Sequence, residues 1–115
     1  MLRLALTFLF FATPARAAEM VFYFNNKAPF GVAVELSGPD SRKLWPGEGK
    51  VYLLDKGERK SVRIECRANE NICYGAWRNG DDTISWGIGP DHDALCNDCC
   101  FACVEKSAET IDIGP

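Results

Sequence analysis

Apolar and polar residues alternate with period two along most of the chain after Met20, the spacing of strands and not of helices. Met20 to Asn25 (MVFYFN) is rich in aromatic and β-branched residues, and Asn25-Asn26-Lys27-Ala28-Pro29 breaks it. In Gly31 to Ser37 (GVAVELS), Val32, Val34 and Leu36 share one face, while Ala33, Glu35 and Ser37 share the other. That alternation predicts a half-buried strand. Gly38-Pro39-Asp40 turns the chain, a short strand is expected over 42–45, and Pro46-Gly47 suits the centre of a type II turn. Lys50 to Asp55 is the next strand, ended by Lys56-Gly57-Glu58. Lys60 to Cys66 (KSVRIEC) alternates again, with Val62, Ile64 and Cys66 on one face.

Ile72 to Trp77 and Thr83 to Ile88 read as a hairpin, because Asn79-Gly80 in a short polar connector accepts positive φ at both residues. Trp77 and Trp86 flank that turn and are expected to pair across it. The regular pattern stops after Gly89-Pro90. Cys96 to Glu105 reads as a turn or two of helix, and Thr110 to Ile113 as one edge strand. About seven short strands at roughly 8–12-residue spacing predict an all-β fold, a small antiparallel sandwich of Ig-like or jelly-roll-like type. The Ig disulfide pattern is not met, since Cys66 and Cys73 read as neighbours across a tight hairpin and neither has a Trp at the usual distance. One domain is expected over 18–115, with strands over 20–89 and a cysteine-rich tail over 90–115.

The N-terminus changes the setting. Arg3 is followed by the apolar run Leu4 to Ala12, then Pro14, then Ala15-Arg16-Ala17 with small residues at the −3 and −1 positions of a signal-peptidase site. The run is far shorter than the ~20 residues of a membrane-spanning helix. Residues 1–17 therefore read as a signal peptide, and the mature chain as Ala18 to Pro115. The chain carries a formal charge of −3, more negative once Arg3 and Arg16 are removed, which argues against nucleic acid and anionic lipid as partners. No later stretch is apolar for long enough to span a membrane, so a secreted or periplasmic protein is expected.

Export gives six cysteines an oxidising environment, where an even number in a short chain forms a disulfide framework. All six, Cys66, Cys73, Cys96, Cys99, Cys100 and Cys103, are expected in disulfides. The tail reads C-x-x-C-C-x-x-C, which resembles two halves of a zinc site, but no loop separates the halves to wrap an ion. A redox C-x-x-C normally opens a helix after a strand in a βαβ unit, and that context is missing. A vicinal Cys99–Cys100 bond is geometrically unfavourable. Two pairings remain open: Cys66–Cys73 closing its short loop, with Cys96–Cys100 and Cys99–Cys103 in the tail, or Cys66 and Cys73 each reaching into the tail. The short loop favours the first; the second closes longer loops and stabilises more, by roughly 3 kcal/mol per bond or above.

Other chemistry is sparse. Asp91-His92-Asp93, with Asp81, Asp82 and Asp98, has the composition of a solvated acidic loop and lacks the ligand spacing of a calcium loop. His92 is the only imidazole, and a triad would need Ser85 or Ser107 without any nucleophile elbow. No catalytic residue, cofactor site or metal site is assigned. Trp45, Trp77 and Trp86 are expected in the core or in cross-strand packing, an exposed platform for a glycan or protein ligand being the sharper option.

Trp45-Pro46-Gly47, the run CRANENICYGAW from Cys66 to Trp77, Trp86-Gly87-x-Gly89 and the terminal C-x-x-C-C-x-x-C resemble a family of small secreted, cysteine-rich proteobacterial proteins. Asn69 stands where the family pattern has Gly, and Asn is the next-best residue for positive φ. The resemblance implies a compact, cysteine-stabilised exported domain and no particular activity. The expected role is non-enzymatic binding or structure at the cell envelope, the rival a thiol-redox or metal-handling protein using the tail.

Overall fold

The computed structural model describes residues 16–115. The signal peptide expected over 1–17 lies outside them except for Arg16 and Ala17. Nine strands are formed: β1 (Ala17–Asn26), β2 (Val32–Gly38), β3 (Lys43–Trp45), β4 (Tyr52–Leu54), β5 (Arg59–Arg67), β6 (Asn71–Arg78), β7 (Asp81–Gly87), β8 (Cys100–Ala102) and β9 (Ala108–Ile113). There is no helix among the described residues. The chain is a β-sandwich. One sheet has the order β5-β1-β9; in the other, β3 and β4 share one edge of β2, β6 pairs with β2's other edge, and β7 and β8 share the far edge of β6.

Alternation explains which residues meet between the sheets. Met20, Phe22 and Phe24 of β1, Val62, Ile64 and Cys66 of β5, and Ile111 and Ile113 of β9 form the inner face of the first sheet. Val32, Val34 and Leu36 of β2, with Ile72 and Ala76 of β6, answer them from the second. Phe22 meets Phe101 of β8 edge to face, ring centroids 6.0 Å apart, and Phe24 lies 6.4 Å from the Tyr52 ring. Buried apolar area of this kind is the main stabilising term in a domain this small.

Several expectations are corrected. The tail residues Cys96 to Glu105 form no helix; Cys100–Ala102 pairs instead as a strand with Asn71–Cys73. Pairing is antiparallel except between β1 and β9, which run parallel, Val21 opposite Ala108 through Asn26 opposite Ile113. Trp77 and Trp86 do not pair: Trp77 faces Ser85 on the outer side, and Trp86 faces Ala76 on the core side and packs on Phe30 at 6.1 Å. The two-residue turn Asn79-Gly80, with Gly80 at φ of 89°, is closed by Arg78 opposite Asp81, and the register then shifts so that Ser85, not Asp82, meets Trp77. Strand β2 is buried along its whole length, not on one face only.

The largest correction concerns β5 and β6. They do not form a hairpin. β5 pairs only with β1 among the described residues, and β6 lies in the other sheet. The crossing segment is Ala68-Asn69-Glu70, with Asn69 at φ of 71°, the left-handed conformation anticipated for that position. Glu70 organises it. Its carboxylate accepts the Arg67 N–H at 2.7 Å and the Ser41 hydroxyl at 2.7 Å, and its carbonyl accepts the Cys103 N–H at 2.8 Å. At the other end of the sandwich the buried Asn26 amide donates to the carbonyls of Phe30 and Asp55 at 2.8 and 2.9 Å, while its oxygen accepts the Ala28 N–H.

Glu70→Ala leaves two donors without their acceptor and should cost about 2 kcal/mol; Glu70→Gln, which keeps one carbonyl oxygen, should cost less. Equilibrium unfolding in urea checks both values and their order.

Candidate functional site

The cysteine-rich tail is where the residues of chemical interest gather, and the sheets dictate where each sulfur points. Cys66 follows Val62 and Ile64 on the inner face of β5, so its side chain enters the core. Cys73 is one residue past Ile72, whose side chain is in the core, and therefore projects from the outer face of the second sheet. The two cannot bond to each other. Cys66 bonds Cys103, Cα atoms 6.2 Å apart, both sulfurs inside the core cluster. Cys73 bonds Cys100, its direct partner across β6 and β8, with Cα atoms 4.0 Å apart. Cys96 bonds Cys99 within the tail. The short-loop pairing Cys66–Cys73, with Cys96–Cys100 and Cys99–Cys103, is thus overturned, because the crossover puts Cys66 and Cys73 in different sheets. The second arrangement holds: both reach into the tail. No cysteine is free, and the described residues contain all six.

These bonds lay residues 88–100 over the outer face of β2 and β6. The Gly89 carbonyl approaches Gly75 so closely that a Cβ on Gly75 would collide with it. Tyr74 N–H donates to the Cys99 carbonyl at 2.9 Å and Ala94 N–H to the Ile88 carbonyl at 3.0 Å. His92 Nε2 lies 2.6 Å from Glu35 Oε1, and Glu35 is 8% exposed. The buried outer face of β2 is explained by this cover: the alternation correctly placed Glu35 opposite the core, and the tail then shielded it. Tyr74 lies on the core side of β6 with Ile72 and Ala76 and is half-buried there. Its phenol is raised above its ordinary 10.0, first by desolvation and then by the negative charge of Asp98.

The remaining candidates do not converge on a reaction centre. His92 is engaged with Glu35, and the Ser107 hydroxyl donates to the Val104 carbonyl at 2.7 Å. Asp81 accepts from the Thr83 N–H and hydroxyl, the hydroxyl being the larger influence, and its carboxyl is held below its ordinary range. Among the described residues no three His, Cys, Asp or Glu side chains are grouped to hold a metal ion. Trp45 is buried and its ring N–H donates to the Glu65 carbonyl at 3.0 Å, joining the two sheets. Trp77 lines an open, acidic cleft of about 330 Å³ with Gly80, Asp81 and Asp82. Glu35 and Glu70 were not singled out by sequence reasoning. The only sequence signal for Glu35 is a charged residue inside an otherwise apolar and small strand; for Glu70 it is the glutamate that follows Asn69 in the run resembling the family pattern.

No protein-family model, curated protein or solved structure matches this chain.

Replacing both members of Cys66–Cys103, which spans 37 residues, should cost about 3–4 kcal/mol, and replacing both members of Cys96–Cys99, which spans 3, less than half of that. Denaturant midpoints of the two double-alanine variants check the order. In a separate measurement, Asp98→Asn should lower the Tyr74 phenol pKa without returning it to 10.0, because burial, the larger cause, remains. Ultraviolet absorbance titration reads that shift.

Proposed function

We propose that this chain is an exported, disulfide-stabilised binding or structural domain of the cell envelope, without enzymatic activity, and that it belongs with the small secreted, cysteine-rich proteobacterial proteins it resembles. One observation carries the reading: every cysteine is in a disulfide, and two of the three bonds tie the tail to strands of different sheets. Sulfurs used that way act as staples. Disulfides of this number fit an oxidising environment, and no described helix is long and apolar enough to cross a membrane.

The surroundings of Cys96–Cys99 speak against a thiol-redox role. A nucleophilic thiolate is favoured by neighbouring cations or a helix N-terminus. Here Asp91, Asp93 and Asp98 surround the pair in sequence, and between Arg78 and Lys106 the chain has no Lys or Arg. Negative charge raises a thiol pKa and lowers the thiolate fraction. Cys99 is also buried, which leaves only Cys96 open to attack by an incoming thiol.

Alkylation of the purified, oxidised protein under denaturing conditions should modify no cysteine before reduction and all six afterwards, read by intact mass. N-terminal sequencing of the exported protein should begin at Ala18. Catalysed reduction of insulin disulfides above the rate of dithiothreitol alone would overturn the non-enzymatic reading.

A further inference from the structure

The sheets treat their edges unequally. In the second sheet, β2 is flanked by the three-residue β3 and β4, and β6 by the three-residue β8 and the seven-residue β7. In the first, β5 is a nine-residue edge strand, longer than the six-residue β9 at the opposite edge and than β3, β4, β7 or β8 in the second sheet. Its backbone groups face alternately inward to β1 and outward. The Glu58 carbonyl accepts from Asn26 N–H at 2.9 Å and Ala68 N–H donates to the Arg16 carbonyl at 2.9 Å, so even-numbered positions face β1. Odd-numbered positions face away, in agreement with the Trp45 ring N–H on the Glu65 carbonyl and the Glu70 carboxylate on Arg67 N–H. Those two contacts close the Glu65–Arg67 end. The N–H and C=O groups of Arg59, Ser61 and Arg63, with the Glu65 N–H, form a row about 20 Å long against which no described strand pairs.

The side chains along that row state what would fit. Arg59, Ser61 and Arg63 stand on the outer face and Lys60 on the other; β5 carries four basic residues against one acidic. This contrasts with a chain whose overall charge is −3. Arg59 is held over the Tyr23 ring, 4.9 Å from its centroid. Among the described residues neither Arg59 nor Arg63 has a carboxylate within ion-pair distance. A long edge with unpaired amides is open to pairing unless a proline, a bulge, a covering element or charge blocks it; β5 contains no proline and keeps an unbroken register with β1, so charge is its one such device, and it repels only basic strands.

Resting on the reading of this chain as a binding domain, we infer that β5 is a strand-addition site for an extended acidic segment of another protein, with carboxylates at alternate positions facing Arg59 and Arg63. The added strand pairs with Arg59, Ser61 and Arg63 through main-chain hydrogen bonds, and the arginines select for charge. A second copy docking β5 on β5 is disfavoured, because it sets two basic rows about 5 Å apart.

The probe is a capped heptapeptide of alternating Glu and Val, titrated into the oxidised, processed protein at low salt, with a Lys-for-Glu peptide as control. The Glu peptide should bind and slow hydrogen exchange of the Ser61 and Arg63 amides roughly tenfold at saturation; the Lys peptide should not. Ser61→Pro removes one outward N–H that no strand uses, a position where edge strands accept proline. It should keep the fold and weaken the Glu peptide roughly tenfold, with Ser61→Ala as native. Should the proline variant not fold, Arg59→Glu with Arg63→Glu gives the same reading through loss of binding. No binding of the Glu peptide, unchanged exchange at Ser61 and Arg63, equal binding by the Lys peptide, or a native dimer joined through β5 would overturn the site. Each of those outcomes leaves the non-enzymatic reading intact, whereas insulin reduction would sink that reading without touching the edge.

Discussion

The structure depends on one covalent link between sheets. Cys66 sits on the inner face of a three-stranded sheet and Cys103 just past the last residue of β8 in the other, and their bond passes through the core beside the crossover Arg67 to Glu70. Three strands have little inner area, and a core that small is a marginal source of stability. The bond removes conformational freedom from the unfolded chain where burial alone is weakest. It also fixes where the tail leaves the core: Asn69 N–H donates to the Cys103 carbonyl and Cys103 N–H to the Glu70 carbonyl, at 2.7 and 2.8 Å. The crossover and the end of β8 therefore hold each other in place, and β9 can then return along β1 in parallel.

A second consequence follows on the outer side. Cys73–Cys100 starts β8 against β6, and residues 88–99 have nowhere to run except across β6 and β2. Gly75 lets the Gly89 carbonyl come close. Glu35, a carboxylate that open water would otherwise solvate, is covered and must find a partner, since an unpaired buried charge is costly. His92 is that partner. The single histidine of the chain is explained by this packing, with no appeal to catalysis. Cys96–Cys99 then keeps the covering segment compact without linking it to either sheet.

Much of this was legible in the sequence. The alternation of Val32, Val34 and Leu36, and of Val62, Ile64 and Cys66, identified strands and their inner faces, because period two is a local property. Turns at Asn79-Gly80 and Lys56-Gly57 were legible for the same reason, as was positive φ at Asn69. What was not legible is which sheet a strand joins. Consecutive strands with a short polar connector read as a hairpin, and nothing local distinguishes Arg67–Asn71, which changes sheets, from Arg78–Asp81, which does not. That one ambiguity produced the wrong pairing for Cys66 and Cys73, and with it the wrong connectivity in the tail. The tryptophans failed differently. Trp77 and Trp86 are equally placed around the turn in sequence, but the register shift at Trp77/Arg78 pairs Trp77 with Ser85 and puts the two rings on opposite faces.

The same crossover explains the unequal edges. Had β5 continued into a hairpin with β6, its outer amides would have been covered. By leaving for the second sheet at Arg67, the chain strands a nine-residue edge with only its last positions capped by Trp45 and Glu70. Charge on that edge discourages pairing with like copies, a common device for keeping sheet proteins monomeric. Yet a device meant only to repel works with either sign. Positive charge concentrated on the β5 edge, while the segment from Asn79 to Glu105 contains no Lys or Arg, gives the molecule one cationic edge that attracts anionic chains. Such an arrangement orients an acidic partner before any hydrogen bond forms. The exposed backbone then supplies affinity that side-chain charge alone, screened by salt, does not.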